Sequence, residues 1–145
     1  MRDWLTIRFR WRREVALPDG RRLDAALWLH EKTDVPDIAL EWEWDNNKLH
    51  REFASGDFVK TLTFPALSAL AIVQTRADGR RGSFQADDTI RQIRAIHAAR
   101  RIDGRPAGVV DIRRTFHSSQ RVEFVSTFHD LTTEKTRQLP GFRFQ

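Results

Sequence analysis

The chain has 145 residues, a mass of 17.0 kDa and 40% hydrophobic residues, which suffices for one hydrophobic core. No break in composition divides it, so we expect a single domain over residues 1–145. The absence of cysteine excludes disulfides and thiolate metal sites, and no apolar run approaches the ~18 residues of a membrane span. We therefore expect a soluble cytoplasmic protein with no membrane partner.

The net charge of +5 is carried mainly by arginine, since only four of the 25 basic residues are lysines. Guanidinium groups bind phosphate in a bidentate manner, so this composition suits a nucleic-acid partner. The codon usage of a GC-rich genome would give the same arginine excess, and the composition therefore supports such a partner without establishing it.

The first third of the chain alternates apolar and polar residues, which is the period of half-buried strands. We predict strands over about residues 4–15, 22–30 and 37–45, with Pro18-Asp19-Gly20 closing the first hairpin. On the third strand, the alternation predicts one acidic face and one apolar, buried face. The acidic face carries Ala39, Glu41, Glu43 and Asp45, and the apolar face carries Ile38, Leu40, Trp42 and Trp44.

Asp24, on the second strand, joins these acids if the two strands form a hairpin centred near Thr33 and Asp34. In that register Asp24 lies opposite Glu43, and a register shift of two residues keeps the acids on one face, whereas a shift of one separates them. Neighbouring carboxylates repel one another unless a cation, a proton or an arginine neutralises them. Oxygen ligands of this kind suit Mg²⁺ or Mn²⁺, which could then act on a phosphodiester.

The spacing of 17 residues between Asp24 and Glu41, followed by Glu43, resembles the motif of the PD-(D/E)XK, or restriction-endonuclease-like, nuclease superfamily. In that family an acid begins the second core strand, and an E-x-K or E-x-E element follows on the third. The resemblance covers roughly residues 20–76 and includes the run from Asp45 to Lys48. It departs from the family pattern at Leu23, which replaces a proline, and at Glu43, which replaces the commoner lysine.

This resemblance implies a metal-dependent nuclease in which Asp24, Glu41 and Glu43 hold Mg²⁺ (or Mn²⁺). Lys48 would then be the catalytic cation that the family usually places at the position of Glu43. The nucleic acid is expected to be DNA, although the sequence leaves RNA open, and holding a duplex would favour a homodimer or a larger complex.

The remaining elements complete an α/β (α+β) fold with a central mixed sheet in the order βββ-α-β-α-ββ, similar to the restriction-endonuclease-like core. A helix is predicted from about Lys48 to Thr63, with Ser55-Gly56-Asp57 as a candidate interruption. A buried strand over Leu67–Thr75, parallel to the third strand, should follow. Ser83 is expected to cap a second helix, and two closing strands are expected over about 108–117 and 121–131, before a tail that either docks or hangs loose.

Four further arginines are candidate phosphate contacts. Arg80 and Arg81 occupy the turn Gly79–Gly82, and Arg91 and Arg94 share a face of the second helix. An exposed turn and a solvated helix face explain the same residues without any ligand.

The sequence also allows two other functions. The acids could be solvated and neutralised across the ladder by Arg8, Arg10 and Arg12 of the first strand, in a non-catalytic nucleic-acid-binding domain of the same fold. The chain could also be a protein-interaction module whose sheet face is merely polar.

Overall fold

The computed structural model describes residues 10–29, 33–44, 53–76, 80–100, 104–118, 121–140 and 142–144. Within these ranges, three strands are followed by a helix, a strand, a long helix and four more strands. The strands are β1 (Arg10–Ala16), β2 (Arg22–Trp28), β3 (Ile38–Trp44), β4 (Ser68–Arg76), β5 (Ala107–Ser118), β6 (Arg121–Asp130), β7 (Thr136–Gln138) and β8 (Phe142–Phe144). A π-helical turn (Phe53–Asp57) leads into α1 (Phe58–Thr63), and α2 spans Arg80–Ala99.

The described strands form one mixed sheet in which β1 to β7 lie side by side in chain order and β8 also pairs with β6. The pairs β1–β2, β2–β3 and β5–β6 are antiparallel, whereas β3–β4 and β4–β5 are parallel. Each parallel pair needs a crossover connection, and the two helices lie in those connections. The mixed α+β class predicted from the sequence is confirmed, as is the parallel pairing of β4 with β3.

One face of the sheet is buried beneath the helices. Its strand residues are mostly small, and the helix residues packed on them are larger and include Phe53, Phe58 and Ile93. The strand residues are Ala39 on β3, Ala69, Ala71 and Val73 on β4, and Ala107 and Val109 on β5. Small side chains let the helices approach closely, so the aromatic rings fill the core from the helix side.

This arrangement contradicts the predicted orientation of β3. The face that carries Ala39 and Glu41 is the buried one, and Trp42 is 43% exposed on the opposite face. The prediction was wrong because both faces of β3 contain apolar residues, and the helices cover the face whose alanines leave room for them. The Trp44 side chain lies outside the described residues.

One predicted helix start lies outside the described residues, and another was wrong. The start near Lys48 falls outside the described part of the chain, in which the first helical residue is Phe53. Ser55-Gly56-Asp57 lies in the π-helical turn, which continues directly into α1. The second helix begins at Arg80, so the prediction that Ser83 caps it was wrong. Arg80 and Arg81 consequently lie in the first turn of α2 instead of in a loop.

Arg105 fixes the end of α1. Its guanidinium donates to the carbonyl oxygens of Phe64 at 2.5 Å and Ala66 at 2.9 Å, and also to that of Leu62. Leu62 lies in the last turn of α1, where carbonyl oxygens lack a donor within the helix, and Arg105 supplies one. Phe64 and Ala66 follow the helix, and the Phe64 carbonyl oxygen also accepts from the Ala66 amide at 2.8 Å.

The tail docks onto the sheet edge, because β7 and β8 both pair with β6. Of the helices in the described part of the chain, neither is long and apolar enough to cross a membrane.

Candidate active site

The ladder between β2 and β3 is interrupted at Asp24 and Glu41. Regular pairing runs from Leu27 opposite Ile38 to Ala25 opposite Leu40. Beyond it, the backbone amide of Asp24 donates to Glu41 Oε1 at 3.1 Å, and the backbone amide of Trp42 donates to Asp24 Oδ2 at 2.8 Å. Each carboxylate thus takes the place of a main-chain acceptor on its neighbour strand.

This register places Asp24 beside Glu41, whereas the predicted hairpin placed Asp24 opposite Glu43. The hairpin is shifted by two residues relative to the predicted one, an even shift that should keep the acids on one face. The prediction of a shared face was nevertheless wrong, because the alternation is broken at Asp24: its side chain lies on the face of Leu40 and Trp42, whereas Glu41 lies on the buried face. The structure still brings together two of the predicted site residues, Asp24 and Glu41.

Glu41 is buried beneath α1 with 2% of its surface exposed, and Lys60 of that helix contacts it. The Lys60 ammonium lies 3.0 Å from Glu41 Oε1 and 2.8 Å from Asp57 Oδ1, and it donates to the Arg22 carbonyl oxygen at 2.9 Å. An ammonium has three donors, and these contacts use all of them.

The alternative of a solvated acidic face neutralised by arginines of β1 is therefore wrong for Glu41. That residue is buried, its cation is Lys60, and β2 lies between β1 and β3 in the sheet.

Two carboxylates, those of Glu41 and Asp57, share the Lys60 ammonium. Burial raises the pKa of Glu41 to about 7, and the negative charge of Asp24 acts in the same direction, against the opposing effect of Lys60. Burial also disfavours the charged Lys60, but its hydrogen bonds to Asp57 and Glu41 outweigh that effect and raise its pKa. Near neutral pH the Glu41 carboxylate can therefore take up a proton or a second cation.

The donor set fits a hard divalent cation. Mg²⁺ prefers oxygen ligands, commonly takes only one or two protein carboxylates, and completes its octahedron with water or phosphate oxygens. Asp24 and Glu41 supply two such carboxylates, each hydrogen-bonded to the backbone of the other's strand. Among the described residues, no group of three acidic, histidine or cysteine side chains is arranged to hold a metal ion, so the two carboxylates are the donors on which a site would rest.

Of the other two predicted members of the site, the structure describes Glu43 alone. Glu43 follows on β3, on the same face as Glu41, and is half-buried beside Val73 of β4. Lys48 lies outside the described residues. The structure instead provides Lys60, which sequence reasoning missed. The spacing of Asp57 and Lys60, one helical turn apart, was the available signal, although nothing local links Lys60 to Glu41.

Two of the predicted phosphate-binding arginines, Arg91 and Arg94, make their described contacts outside this group. Arg91 forms an ion pair with Asp88 at 3.0 Å, and Arg94 contacts His129 Nδ1 on β6 at 3.2 Å. β2 and β6 are four strand spacings apart, about 19 Å at about 4.8 Å each, so Arg94 is remote from Asp24. The side chains of Arg80 and Arg81 lie outside the described part of the structure.

A second buried carboxylate, Asp111 on β5, is neutralised by arginine. Its Oδ2 accepts a hydrogen bond from Arg113 Nε at 2.8 Å, and Arg113 also contacts Asp87 of α2 at 2.5 Å. Burial raises the pKa of Asp111 as it does that of Glu41. This network joins β5 to α2, and Asp111 is a natural control for substitutions at Glu41.

Asp24 also opens onto the uncovered face of the sheet. There it lines a groove of about 680 Å³ together with Trp11, Arg13, Leu27 and Trp42. Glu41 lies on the helix-covered face, so the interrupted ladder connects the two sides of the sheet at this point. A larger cavity of about 810 Å³ lies at the far end of the sheet, beside Arg94 and Leu131, away from the acids.

Comparison of the chain with family models, curated proteins and solved structures finds no significant match.

Proposed function

We propose that this protein is a metal-dependent nuclease of restriction-endonuclease-like architecture that hydrolyses phosphodiester bonds, with DNA as the expected substrate. The observation that supports this most is the pairing of Asp24 with Glu41 across an interrupted ladder, with the Lys60 ammonium beside Glu41. Acids on adjacent strands of a mixed sheet are also what the family resemblance implies.

Asp24 and Glu41 are the residues that would hold Mg²⁺ or Mn²⁺. When bound, such an ion supplies Lewis-acid polarisation of a phosphoryl oxygen and a water of lowered pKa. Glu41 must lose its proton to serve as a ligand, and its pKa of about 7 makes that loss occur near neutrality. The Lys60 ammonium lies close enough to Glu41 to stabilise negative charge that develops on phosphate oxygens at the site.

A non-catalytic nucleic-acid-binding domain is the second candidate function. The specific observation in its favour is that Lys60 already neutralises Glu41, so the ion pair can serve stability without any added cation. In that case the acids contribute to the fold, and binding follows from the arginine-rich surface.

The two candidate functions predict different responses of the protein to a divalent metal. For the nuclease, Mn²⁺ should raise the thermal midpoint of EDTA-treated protein, because a ligand that binds only the folded state stabilises it. Glu41→Gln should abolish the rise. Asp111→Asn, which alters a buried carboxylate outside the site, is the matched control and should retain it.

Activity is tested with labelled duplex and single-stranded DNA and RNA in Mn²⁺. Cleavage should disappear with EDTA and in Glu41→Gln, and should persist in Asp111→Asn. A folded wild type that shows neither a metal-dependent midpoint nor cleavage would overturn the nuclease proposal, and salt-sensitive binding would then favour the second candidate.

A further inference from the structure

The interface between α2 and the β5–β6 part of the sheet contains charged side chains. Asp87 and Arg94 are seven positions apart on α2, close to two helical turns, and so lie on one face of that helix. Asp87 contacts Arg113 of β5, and Arg94 contacts His129 of β6. On this side of the core, α2 therefore contacts the sheet through polar groups, one of which is a histidine.

The contact with Arg94 defines the protonation state of His129 in this structure. Nη2 of Arg94 lies 3.2 Å from Nδ1 of His129. Arginine carries only donors, so Nδ1 is the acceptor, and a neutral imidazole that accepts at one nitrogen carries its proton on the other. His129 is therefore neutral, with its proton on Nε2.

A buried carboxylate lies beside the same ring. Val109 pairs with His129, so Asp111, two residues further along β5, is a diagonal neighbour of His129 on the helix-covered face. Diagonal neighbours in a sheet are about 7–8 Å apart, within reach of long side chains. Asp111 is 2% exposed, and neither its Oδ1 nor His129 Nε2 has a hydrogen-bond partner among the described residues. A proton on Nε2 and an acceptor on Asp111 are thus available to each other.

Four charged groups act on the His129 ring from the two elements packed beside it. They are Asp111 and Arg113 of β5 and Asp87 and Arg94 of α2. Burial lowers the pKa of His129 below its ordinary value of 6.5, and although Asp111 favours the proton, Arg94 and Arg113 oppose it. His129 therefore stays neutral at neutral pH and takes up a proton in mild acid.

Protonation of His129 is incompatible with its contact with Arg94. An imidazolium donates from both nitrogens, so a proton on Nδ1 would point at a guanidinium, which is itself a donor and a cation. Thr136 of β7 offers another acceptor, because its Oγ1 lies 3.4 Å from Nδ1. The imidazolium can thus be held by Thr136 and Asp111, and Arg94 is displaced.

The structure contains a second position for the displaced Arg94. Arg94 lines the cavity of about 810 Å³, and two acidic residues, Asp130 and Glu134, line the same cavity. A guanidinium that leaves a neutral imidazole for a carboxylate exchanges a neutral partner for an anionic one, which gives a stronger hydrogen bond. The Arg94 side chain therefore has one partner when His129 is neutral and others when His129 is charged.

We propose that His129 is a pH-sensitive switch. At neutral pH its Nδ1 holds Arg94 of α2 against β6, and in mild acid its imidazolium pairs with Asp111 and releases Arg94 into the cavity. The switch changes the charge of that cavity and loosens α2 from β6. It is independent of the proposed nuclease function, because the candidate active site lies on β2 and β3, which are separated from β6 by β4 and β5.

Long-range ¹H–¹⁵N NMR spectra of the full chain determine the tautomer of His129 and its titration midpoint. At neutral pH, Nδ1 should be unprotonated and Nε2 protonated. As the pH falls, the His129 signals should titrate with a midpoint below 6.5, and the Nε–H signal of Arg94 should shift with the same midpoint. The Arg94 shift should be absent in His129→Gln and should persist in His97→Gln, a control that alters another histidine beside the same cavity.

Two substitutions should move the His129 midpoint in opposite directions. Arg94→Met removes a neighbouring positive charge and should raise the midpoint, whereas Asp111→Asn removes a neighbouring negative charge and should lower it. Circular dichroism verifies that each variant is folded, and the wild-type spectra test the proposal without any substitution. A proton on Nδ1 at neutral pH, an Arg94 signal that stays constant through the His129 titration, or a midpoint that neither folded variant moves would overturn the proposal.

Discussion

The free energy of unfolding of the metal-free protein should depend on pH, and replacing Glu41 with glutamine should remove most of that dependence. Burial raises the pKa of Glu41 from an ordinary value of 4.5 to about 7 in the folded state. Between these values the carboxyl is protonated in the folded protein and ionised in the unfolded chain, so unfolding releases a proton. The free energy of unfolding therefore falls as the pH rises through this window.

The expected size follows from the two pKa values. The difference between 4.5 and about 7, at about 1.4 kcal/mol for each pH unit, amounts to about 3 kcal/mol. Relative to Glu41→Gln, the wild type should therefore lose about 3 kcal/mol between about pH 4 and about pH 8. The glutamine keeps a side-chain oxygen that can accept hydrogen bonds from the Asp24 amide and from Lys60. Because glutamine does not titrate, residue 41 should contribute no pH dependence to the stability of this variant across that window.

Urea unfolding followed by tryptophan fluorescence in EDTA provides the measurement, with Asp111→Asn as the control that retains the Glu41 dependence. In Mn²⁺ the wild type should regain stability as the pH rises, because the ion binds the ionised carboxylate. Parallel pH curves for the wild type and Glu41→Gln would refute the reasoning, since they would mean that Lys60 keeps Glu41 ionised throughout the window.

Lys60→Met should destabilise the protein by about 2–4 kcal/mol at about pH 8 and by less at about pH 5, where Glu41 is protonated, and urea titrations at both values measure this. Losses of equal size at the two pH values would contradict a pairing with the Glu41 carboxylate. Gly108→Ala should cost about 1–3 kcal/mol, because its Cβ would lie 2.5 Å from the Phe128 ring, and Phe128→Leu should recover part of that loss in thermal unfolding. Arg105→Ala should cost about 2–3 kcal/mol and increase amide exchange in α1, because it removes the donors to Leu62 in the last turn of that helix and to Phe64 and Ala66 just beyond it. Unchanged exchange there would contradict the capping role.

Much of the fold follows from local patterns. Alternation of apolar and polar residues predicts β1 to β3, and the continuous apolar run from Leu67 predicts a buried strand parallel to β3. Boundaries were less accurate where helix and turn signals compete. Arg80 and Arg81 read as a loop beside Gly79 and Gly82, yet α2 extends through them, because a long amphipathic helix packed on the sheet outweighs one local glycine.

The candidate site was only partly predictable. Asp24 and Glu41 could be placed on neighbouring positions of adjacent strands, because the hairpin link allows few registers. The irregular ladder that turns Asp24 to the other face could not be predicted, because it depends on the side-chain to backbone bonds between the two strands. Lys60 could not, because its contact with Glu41 depends on where α1 crosses the sheet, and the two residues are 19 positions apart. The exposed groove was likewise missed, because Trp42 was assigned to the core.

The amino-acid sequence by itself determined which residues of β3 share a face, since that depends only on the alternation of side chains along an extended backbone. It did not determine which face is buried, because Leu40 and Trp42 are apolar on one side of β3 and Ala39 is apolar on the other. Helix packing decided this, since the large side chains of α1 and α2 require small partners. That choice buries Glu41 beside Lys60 and leaves Trp42 exposed, and the role proposed for Glu41 follows from it.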